Sequence, residues 1–227
     1  MNRLIVAAFV LASLCAAGAV AQPGAASITN EPHHKRLLYT NDVRLWDVTL
    51  PPGQATQPFV HDYDVATVVI GDGTLNIQRN GEGLTQPAPN ARGSVIVAEH
   101  TGAPATYRIE NKGTTEYRAL EIENMHEGNW PAAAPFTAPG SSVLKESRAF
   151  TIYDVLLEAG APEVTHNHTG ATIIVVIGGT LEQAGIGGTD PVRIQQPGQW
   201  LSLPRFQPHA VSAAGGANAH AIEIEVR

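Results

Sequence analysis

The chain has 227 residues with 14 Lys and Arg against 21 Asp and Glu, which gives a formal net charge of −7. So few basic residues argue against general nucleic-acid binding and against a polybasic membrane-surface patch, because both need clustered positive charge. A hydrophobic fraction of 43% excludes a wholly disordered chain. We therefore expect a globular protein that does not bind nucleic acid.

Residues 1–21 have the pattern of a secretory signal. Arg3 precedes an uncharged run of apolar and small residues, and the tripeptide A-V-A at 19–21 is a cleavage pattern. The run is short and rich in small residues for a membrane anchor. We predict cleavage, a periplasmic or secreted protein, and no membrane association after cleavage. Because Cys15 is the single cysteine, the mature chain would have no disulfide and no thiolate ligand.

The rest of the sequence favours β structure. Short runs of β-branched and apolar residues are separated by Gly, Pro, Asn and Asp, and no convincing amphipathic helix is present. In chain order the predicted strands are 43–50, 65–70, 94–98, 107–110, 117–122, 150–157, 171–177, 200–203 and 219–226. Several short strands per hundred or so residues predict an all-β sandwich or barrel.

The sequence also contains an internal duplication. Val68–Gly71 recurs as Val175–Gly178, an offset of 107, and Leu120–Glu123 corresponds to Ile222–Glu225, an offset of 102. A drifting offset indicates two copies of one fold that differ in loop length. We predict a leading segment 22–42, a first domain 43–125, a linker 126–142 rich in Pro, Ala and Gly, and a second domain 143–227.

Histidines in the second copy have metal-ligand spacing. His166 and His168 would share one face of a strand, because side chains alternate along β structure. Neutral imidazole is the commonest metal ligand in proteins. His209 follows a Gly- and Pro-containing turn that would bring it to a neighbouring strand as a third ligand.

These residues resemble the two motifs of the cupin superfamily. The first motif, G-x5-H-x-H-x(3,4)-E-x6-G, is matched by Gly160, His166, His168 and Gly179, with Thr172 at the Glu position. The second motif, G-x5-P-x-G-x2-H-x3-N, is matched by Gly198, Pro204 and His209, with Phe206 and Ala213 at the Gly and Asn positions. The sequence is also similar to small cupins described as quercetin-dioxygenase-like.

The resemblance implies two tandem jelly-roll β-barrels, a bicupin, with one divalent metal ion in the C-terminal barrel. It implies that the ion, Fe, Mn, Zn or Ni, is held by His166, His168 and His209. The further residues expected to line the pocket are Thr172, Gln195, Phe206 and Glu223. For Glu223 and Glu225, which share one face of the last strand, we favour a structural role, because the first copy contains the same Glu-Ile-Glu.

The first copy lacks most of this ligand set. Phe59 and Tyr107 stand at two of the histidine positions, and only His61 remains. We predict that this half binds no metal, because one imidazole does not hold a divalent ion tightly. We expect His100 to lie at the surface and His34 to lie in an exposed leading segment.

Three functional hypotheses remain open at this point. The protein is a metal-dependent, oxygenase-like enzyme acting on a small organic molecule, a non-catalytic protein that binds a metal or a small molecule, or a structural pair of barrels. The catalytic residues, the substrate and the choice between a monomer and a homodimer do not follow from the sequence.

Overall fold

The computed structural model describes residues 24–126, 136–184 and 190–227. The predicted signal peptide and most of the predicted linker, residues 127–135, lie outside the described residues. The described parts consist of β-strands and connecting turns, with a single 3₁₀ turn at Ile28–Asn30. Within these ranges no helix has the length and apolar character needed to cross a membrane.

The N-terminal part contains ten strands in two sheets. In chain order they are β1 (Ala26–Ser27), β2 (His34–Tyr39), β3 (Val43–Leu50), β4 (Phe59–His61), β5 (Val65–Gly71), β6 (Gly73–Arg79), β7 (Ala88–Asn90), β8 (Val95–Ala98), β9 (Ala105–Asn111) and β10 (Tyr117–Asn124). Sheet A has the order β1-β4-β9-β6-β7, and sheet B has the order β2-β3-β10-β5-β8. All of their pairings are antiparallel except β1 with β4.

The C-terminal part repeats this arrangement with eight strands. They are β11 (Ser141–Glu146), β12 (Phe150–Leu157), β13 (Ala171–Gly178), β14 (Leu181–Gln183), β15 (Val192–Ile194), β16 (Trp200–Leu203), β17 (Val211–Ala213) and β18 (Ala219–Val226). Sheet C has the order β11-β12-β18-β13-β16, and sheet D has the order β15-β14-β17. The strand order of sheet C matches that of sheet B position by position, as the sequence duplication predicts.

The predicted strands are confirmed as strands, several with the bounds that the sequence indicated. Strands β3, β12, β16 and β18 have the predicted ends, and the other five differ by one to three residues. The strands that the sequence did not predict are short or polar, so they carry little hydrophobic pattern. The all-β class is therefore confirmed.

Sheets B and C bury apolar side chains on both faces, and each face packs against different residues. On β18, Ile222 and Ile224 belong to a core shared with Leu45, Val68 and Leu120 of sheet B. On the other face of sheet C, side chains of β12, β13 and β18 pack with Leu181, Ile194 and Val211 of sheet D. Because successive side chains of a strand alternate in direction, one strand serves two cores.

The shared core makes the two parts of the chain pack as one body. It contains 17 buried apolar residues drawn from both sheets, and burial of each such side chain contributes about 1.5–3 kcal/mol. At its edge, the Arg148 guanidinium donates two hydrogen bonds of 3.0 Å to the Asp64 carboxylate. The Asn124 amide donates to the backbone carbonyls of Ala149 and Arg227. Separation of the halves would expose this apolar surface to water.

Candidate metal centre

The three histidines predicted as ligands lie on two segments that are joined by backbone hydrogen bonds. His166 and His209 form an isolated antiparallel bridge, with N–H to carbonyl bonds of 2.9 and 2.8 Å in the two directions. His168 follows two residues later, and its carbonyl accepts a hydrogen bond of 2.8 Å from Phe206 N–H. The backbone therefore fixes the spacing of the three imidazoles before any ligand is bound.

These histidines converge on a fourth residue, Glu223 in β18. One ligand atom from each of the four lies within 4.8 Å of the others. Glu223 Oε1 lies 3.0 Å from His168 Nε2 and 2.8 Å from His209 Nε2. The same oxygen lies 3.6 Å from His166 Nε2. His168, His209 and Glu223 are at most 5% exposed, so the cluster is removed from bulk water.

The hydrogen bonds of the Nδ1 atoms of His166 and His209 indicate which ring nitrogens are available to bind a ligand. His166 Nδ1 lies 3.1 Å from the Val164 carbonyl, and His209 Nδ1 lies 3.1 Å from the Gln207 carbonyl. A carbonyl only accepts, so each Nδ1 carries a proton, and Nε2 is the nitrogen of each ring that can present a lone pair. Both Nε2 atoms face the Glu223 carboxylate. A cation between these atoms would be bound by all of them.

The remaining contacts fit a divalent ion in that position. His166 Nε2 is buried and has no hydrogen-bond partner among the described residues. The donor set of three imidazole nitrogens and one carboxylate oxygen suits Fe, Mn, Ni or Zn, and no soft thiolate is present among the four. The residues present therefore fit the metal ion that the sequence motifs predict.

An outer carboxylate orients His168. Glu225 Oε2 lies 3.5 Å from His168 Nδ1, and Glu225 Oε1 accepts hydrogen bonds from the backbone N–H groups of Thr169 and Gly170. Burial acts to lower the pKa of His168, but Glu223 and Glu225 together raise it to about 9. A carboxylate behind a ligating imidazole is a common support of metal sites, because it fixes the tautomer and the ring orientation.

Glu223 lies in the histidine cluster and lines the space beside His166, as the pocket-lining prediction expects, in addition to the structural role that we favoured from the sequence. Burial acts to raise its pKa, yet the surrounding imidazoles of His166, His168 and His209 hold that pKa well below its ordinary value. Thr172, at the position of the motif glutamate, is buried, and its hydroxyl donates to the Gly170 carbonyl at 3.5 Å. The carboxylate comes from a different strand than the motif predicts.

The structure places the other two predicted pocket residues at the surface. Phe206 is 57% exposed and has a φ of +59°, in a turn where the cupin motif has glycine. A bulky residue with positive φ is uncommon, and this backbone turns the ring towards solvent. Gln195 is exposed just after β15, and its backbone N–H donates to Gln199 Oε1. Neither residue belongs to the cluster.

Phe136 covers the open side of the cluster. Its ring stacks on the His166 imidazole with a centroid distance of 3.7 Å and an interplanar angle of 9°. Its backbone N–H donates to the Tyr153 hydroxyl at 3.2 Å. The space left beside His166 and Glu223 is about 20 Å³, which is room for about one water molecule. A neighbouring cavity of about 240 Å³ shares Leu157, Pro162 and Val211 with that space.

The N-terminal half has the same framework with different side chains. Phe59 and Tyr107 are partners in the β4–β9 ladder, as His166 and His209 are in the bridge. His61 lies 3.5 Å from Glu121 and 3.2 Å from Glu123, the counterparts of Glu223 and Glu225. Among the described residues, only the C-terminal half contains a group of metal-ligand type with all atoms within 4.8 Å.

Two histidines of this half are buried, contrary to our expectation. His34 is 6% exposed and His100 is 1% exposed. His34 Nδ1 lies 2.6 Å from Glu31 Oε2, and its Nε2 lies 3.5 Å from Glu121 Oε2. The sequence pattern missed them because β2 and the turn after β8 reach the interior only through long-range pairing.

The comparisons with known proteins identify the fold. No family model matches the chain, and no curated protein matches its sequence. Solved structures do match. A cupin 2 conserved barrel domain protein from Leptotrichia buccalis has a TM-score of 0.57 and 17% identity over 86% of this chain and 88% of that one.

Two further solved structures match similar shares of this chain. Salicylate 1,2-dioxygenase from Pseudaminobacter salicylatoxidans has a TM-score of 0.64 and 11% identity over 85% of this chain and 75% of that one. AerE from Microcystis aeruginosa has a TM-score of 0.61 and 13% identity over 87% of this chain and 98% of that one. Because the sequence identities are this low, the similarity to these structures shows the fold alone. The chain therefore has the fold of the cupin superfamily, as its motifs predict.

Proposed function

We propose that this protein is an exported bicupin with one metal ion in its C-terminal barrel, and that it is a metal-dependent, oxygenase-like enzyme acting on a small organic molecule. The observation that carries the proposal is the convergence of three imidazoles and one carboxylate within 4.8 Å in a buried cluster. Export is supported by the signal-like residues 1–21, and the tandem arrangement by the matching strand orders of sheets B and C.

The side chains around the site have separate tasks. Glu223 supplies the one negative charge among the four ligands, which lowers the net charge of a bound divalent ion. Glu225 holds His168 with Nδ1 protonated and Nε2 free to ligate. Phe136 covers His166 and limits the access of water. When bound, the metal ion polarises the oxygen atoms of a ligand as a Lewis acid.

The substrate class is proposed from the fit of the site and from one neighbour. The three histidines and Glu223 would hold the ion, which could then bind a small molecule through adjacent oxygen atoms. Structures of the salicylate 1,2-dioxygenase include one in complex with gentisate. Aromatic hydroxy acids of this type are therefore the first substrates to test.

A metal-binding protein without turnover is the second candidate, and the space of about 20 Å³ at the cluster favours it. An aromatic substrate fits only when Phe136 moves away from His166. Oxygen uptake by the metal-loaded wild type with hydroxybenzoates would favour the enzyme. Uptake neither by the wild type nor by Phe136→Ala, with the metal retained in both, would favour the binding protein.

The test of the metal site is elemental analysis of the mature protein. We expect one metal ion per chain in the wild type and none in His209→Ala. His220→Ala is the matched control, since it removes a half-exposed imidazole of the same domain that pairs with Asp154 outside the cluster. Absence of metal in the wild type after anaerobic reconstitution with iron, manganese, nickel and zinc would contradict the proposal, as would retention by a folded His209→Ala.

A further inference from the structure

The N-terminal half contains an interior cavity of about 120 Å³ between sheets A and B. Its walls are mostly aliphatic, with Leu75, Ile77 and Ile109 from sheet A and Val65 and Ala98 from sheet B. Ile96 on the edge strand β8 also lines the cavity and is 41% exposed, which places it at the mouth. The volume suits a single-ring molecule, since a cavity of about 150 Å³ is known to accommodate benzene.

Two buried polar atoms of the cavity lining have no hydrogen-bond partner among the described residues. They are Glu121 Oε2 and His100 Nδ1, on side chains that are 5% and 1% exposed as residues. The nearest imidazole nitrogens to Glu121 Oε2, those of His34 and His61, are both 3.5 Å away, too far for well-formed hydrogen bonds. Because buried polar atoms are normally hydrogen-bonded, these two atoms are expected to bind a hydrogen-bonding ligand.

The protonation states define the partner that would satisfy both atoms. Burial acts to raise the pKa of Glu121, but His61 and His34 lower it below its ordinary value, so the group is a carboxylate that only accepts. Burial lowers the pKa of His100 to about 4, so its ring is neutral and its unpaired Nδ1 can donate. A hydroxyl group both donates to a carboxylate and accepts from an imidazole.

Other occupants fit less well. A metal ion fits less well, because the described residues of this half contain no group of three or more ligand atoms of metal-site type and Phe59 packs against both His34 and His61. A carboxylate ligand would be repelled by Glu121. An ammonium ion would satisfy Glu121, but it would be repelled by the protonated His34 imidazole that lies 3.5 Å from the same carboxylate oxygen.

We propose that this cavity is a second, metal-independent binding site for a neutral single-ring phenol, with the ring against the aliphatic walls and the hydroxyl between Glu121 and His100. The site does not depend on the metal centre in the other half. Tyr107 and Tyr117, which also line the cavity, add aromatic surface for the ring.

The experiment is a calorimetric titration with phenol, using metal-free His209→Ala protein so that the C-terminal cluster does not contribute. We expect saturable binding of one phenol per chain, at least about tenfold weaker binding of toluene, and weaker binding of benzoate, because both leave Glu121 without a donor. Ile96→Trp, which fills the mouth, should reduce phenol affinity by at least about tenfold. Val143→Trp, at a similarly exposed position on β11, should leave it unchanged.

Several outcomes would overturn the proposal. They are the absence of saturable phenol binding, equal binding of toluene, and phenol binding that is unchanged in a folded Ile96→Trp protein. Tighter binding of benzylamine than of phenol would overturn the phenol class, since it would mean that Glu121 alone selects the ligand. Each variant is compared by circular dichroism with the wild type, so that misfolding is separated from loss of the site.

Discussion

The two halves of this protein place the same Glu-Ile-Glu strand at the centre of a five-stranded sheet and give it different neighbours. In the C-terminal half, Glu223 faces three imidazoles, and no lysine or arginine of the described residues pairs with it. In the N-terminal half, its counterpart Glu121 lies 3.5 Å from His34 and from His61. The second glutamate of that strand, Glu123, is paired with Arg44 at 2.5 Å and accepts a hydrogen bond from Trp46.

The comparison shows how one framework forms either a candidate cation site or a set of buried ion pairs. Phe59 and Tyr107 replace two ligands, and Arg44 and His34 supply the positive charge that a metal ion would otherwise bring. Burial acts to raise the pKa of Glu123, yet hydrogen bonds with His61 and Arg44 lower it to about 2. Buried carboxylates need a compensating cation, and the two halves obtain it in different ways.

The largest expected effect is on metal affinity, from exchange of the central carboxylate in each half. Glu223→Gln should weaken metal binding by more than the about 10–100-fold typical of changes outside the ligand set. Glu121→Gln, at the equivalent position, should leave metal binding unchanged. Metal titration of both purified variants tests this, and equal losses in the two would mean that the halves do not differ as described.

Substitution of Glu225 should affect metal binding, whereas substitution of its counterpart Glu123 should affect folding stability. Glu225→Gln should lower metal affinity about 10–100-fold, because His168 loses its support. Glu123→Gln should instead cost about 3–5 kcal/mol of folding free energy, because Arg44 is left without its buried partner. Denaturant unfolding combined with metal titration distinguishes the two. A metal-binding defect in a folded Glu123→Gln protein would contradict the assignment.

Metal binding should stabilise the folded chain. Metal at 100–1,000 times its dissociation constant adds about 2.7–4.1 kcal/mol, which corresponds to a rise of about 5–15 °C in the thermal midpoint for a chain of this size. EDTA should reverse the shift, and Glu223→Gln should show a smaller shift than the wild type at the same metal concentration. Because the halves share a core, we expect one cooperative transition. Two separate transitions, with only one sensitive to EDTA, would argue against that coupling.

The smallest expected effect is a pH dependence that originates in the N-terminal half. Burial acts to lower the pKa of His34, but Glu121 and Glu31 raise it to about 9. The folded state therefore binds this proton more tightly than the unfolded state does, so its contribution is complete below pH 6.5 and is lost as the pH rises through 9. The change is at most about 3 kcal/mol.

The measurement for His34 is the unfolding free energy of the metal-loaded protein between pH 6 and 10. The wild type should lose stability as the pH rises, and His34→Gln should have a flatter profile over the same window. An unchanged slope in His34→Gln would assign the pH dependence to another group.

Much of the fold could be predicted because its signals are local. Runs such as 171–177 carry enough β-branched residues to mark a buried strand, and the repeated segments located both halves. The histidines of the H-x-H pair and His209 were found by their spacing. For Glu223 the sequence favours a structural role, because the same Glu-Ile-Glu tripeptide recurs in the half without the ligand set.

Side-chain alternation alone determined that Glu223 and Glu225 share one face of the last strand, and the duplication determined that their counterparts do the same. Only the tertiary structure determined which side chains each pair of glutamates contacts. Sheet order and the paths of the loops bring His209 to Glu223, His34 to Glu121 and Phe136 over His166. These contacts join residues far apart in the chain, and no local pattern encodes which distant side chain fills a given place on a sheet.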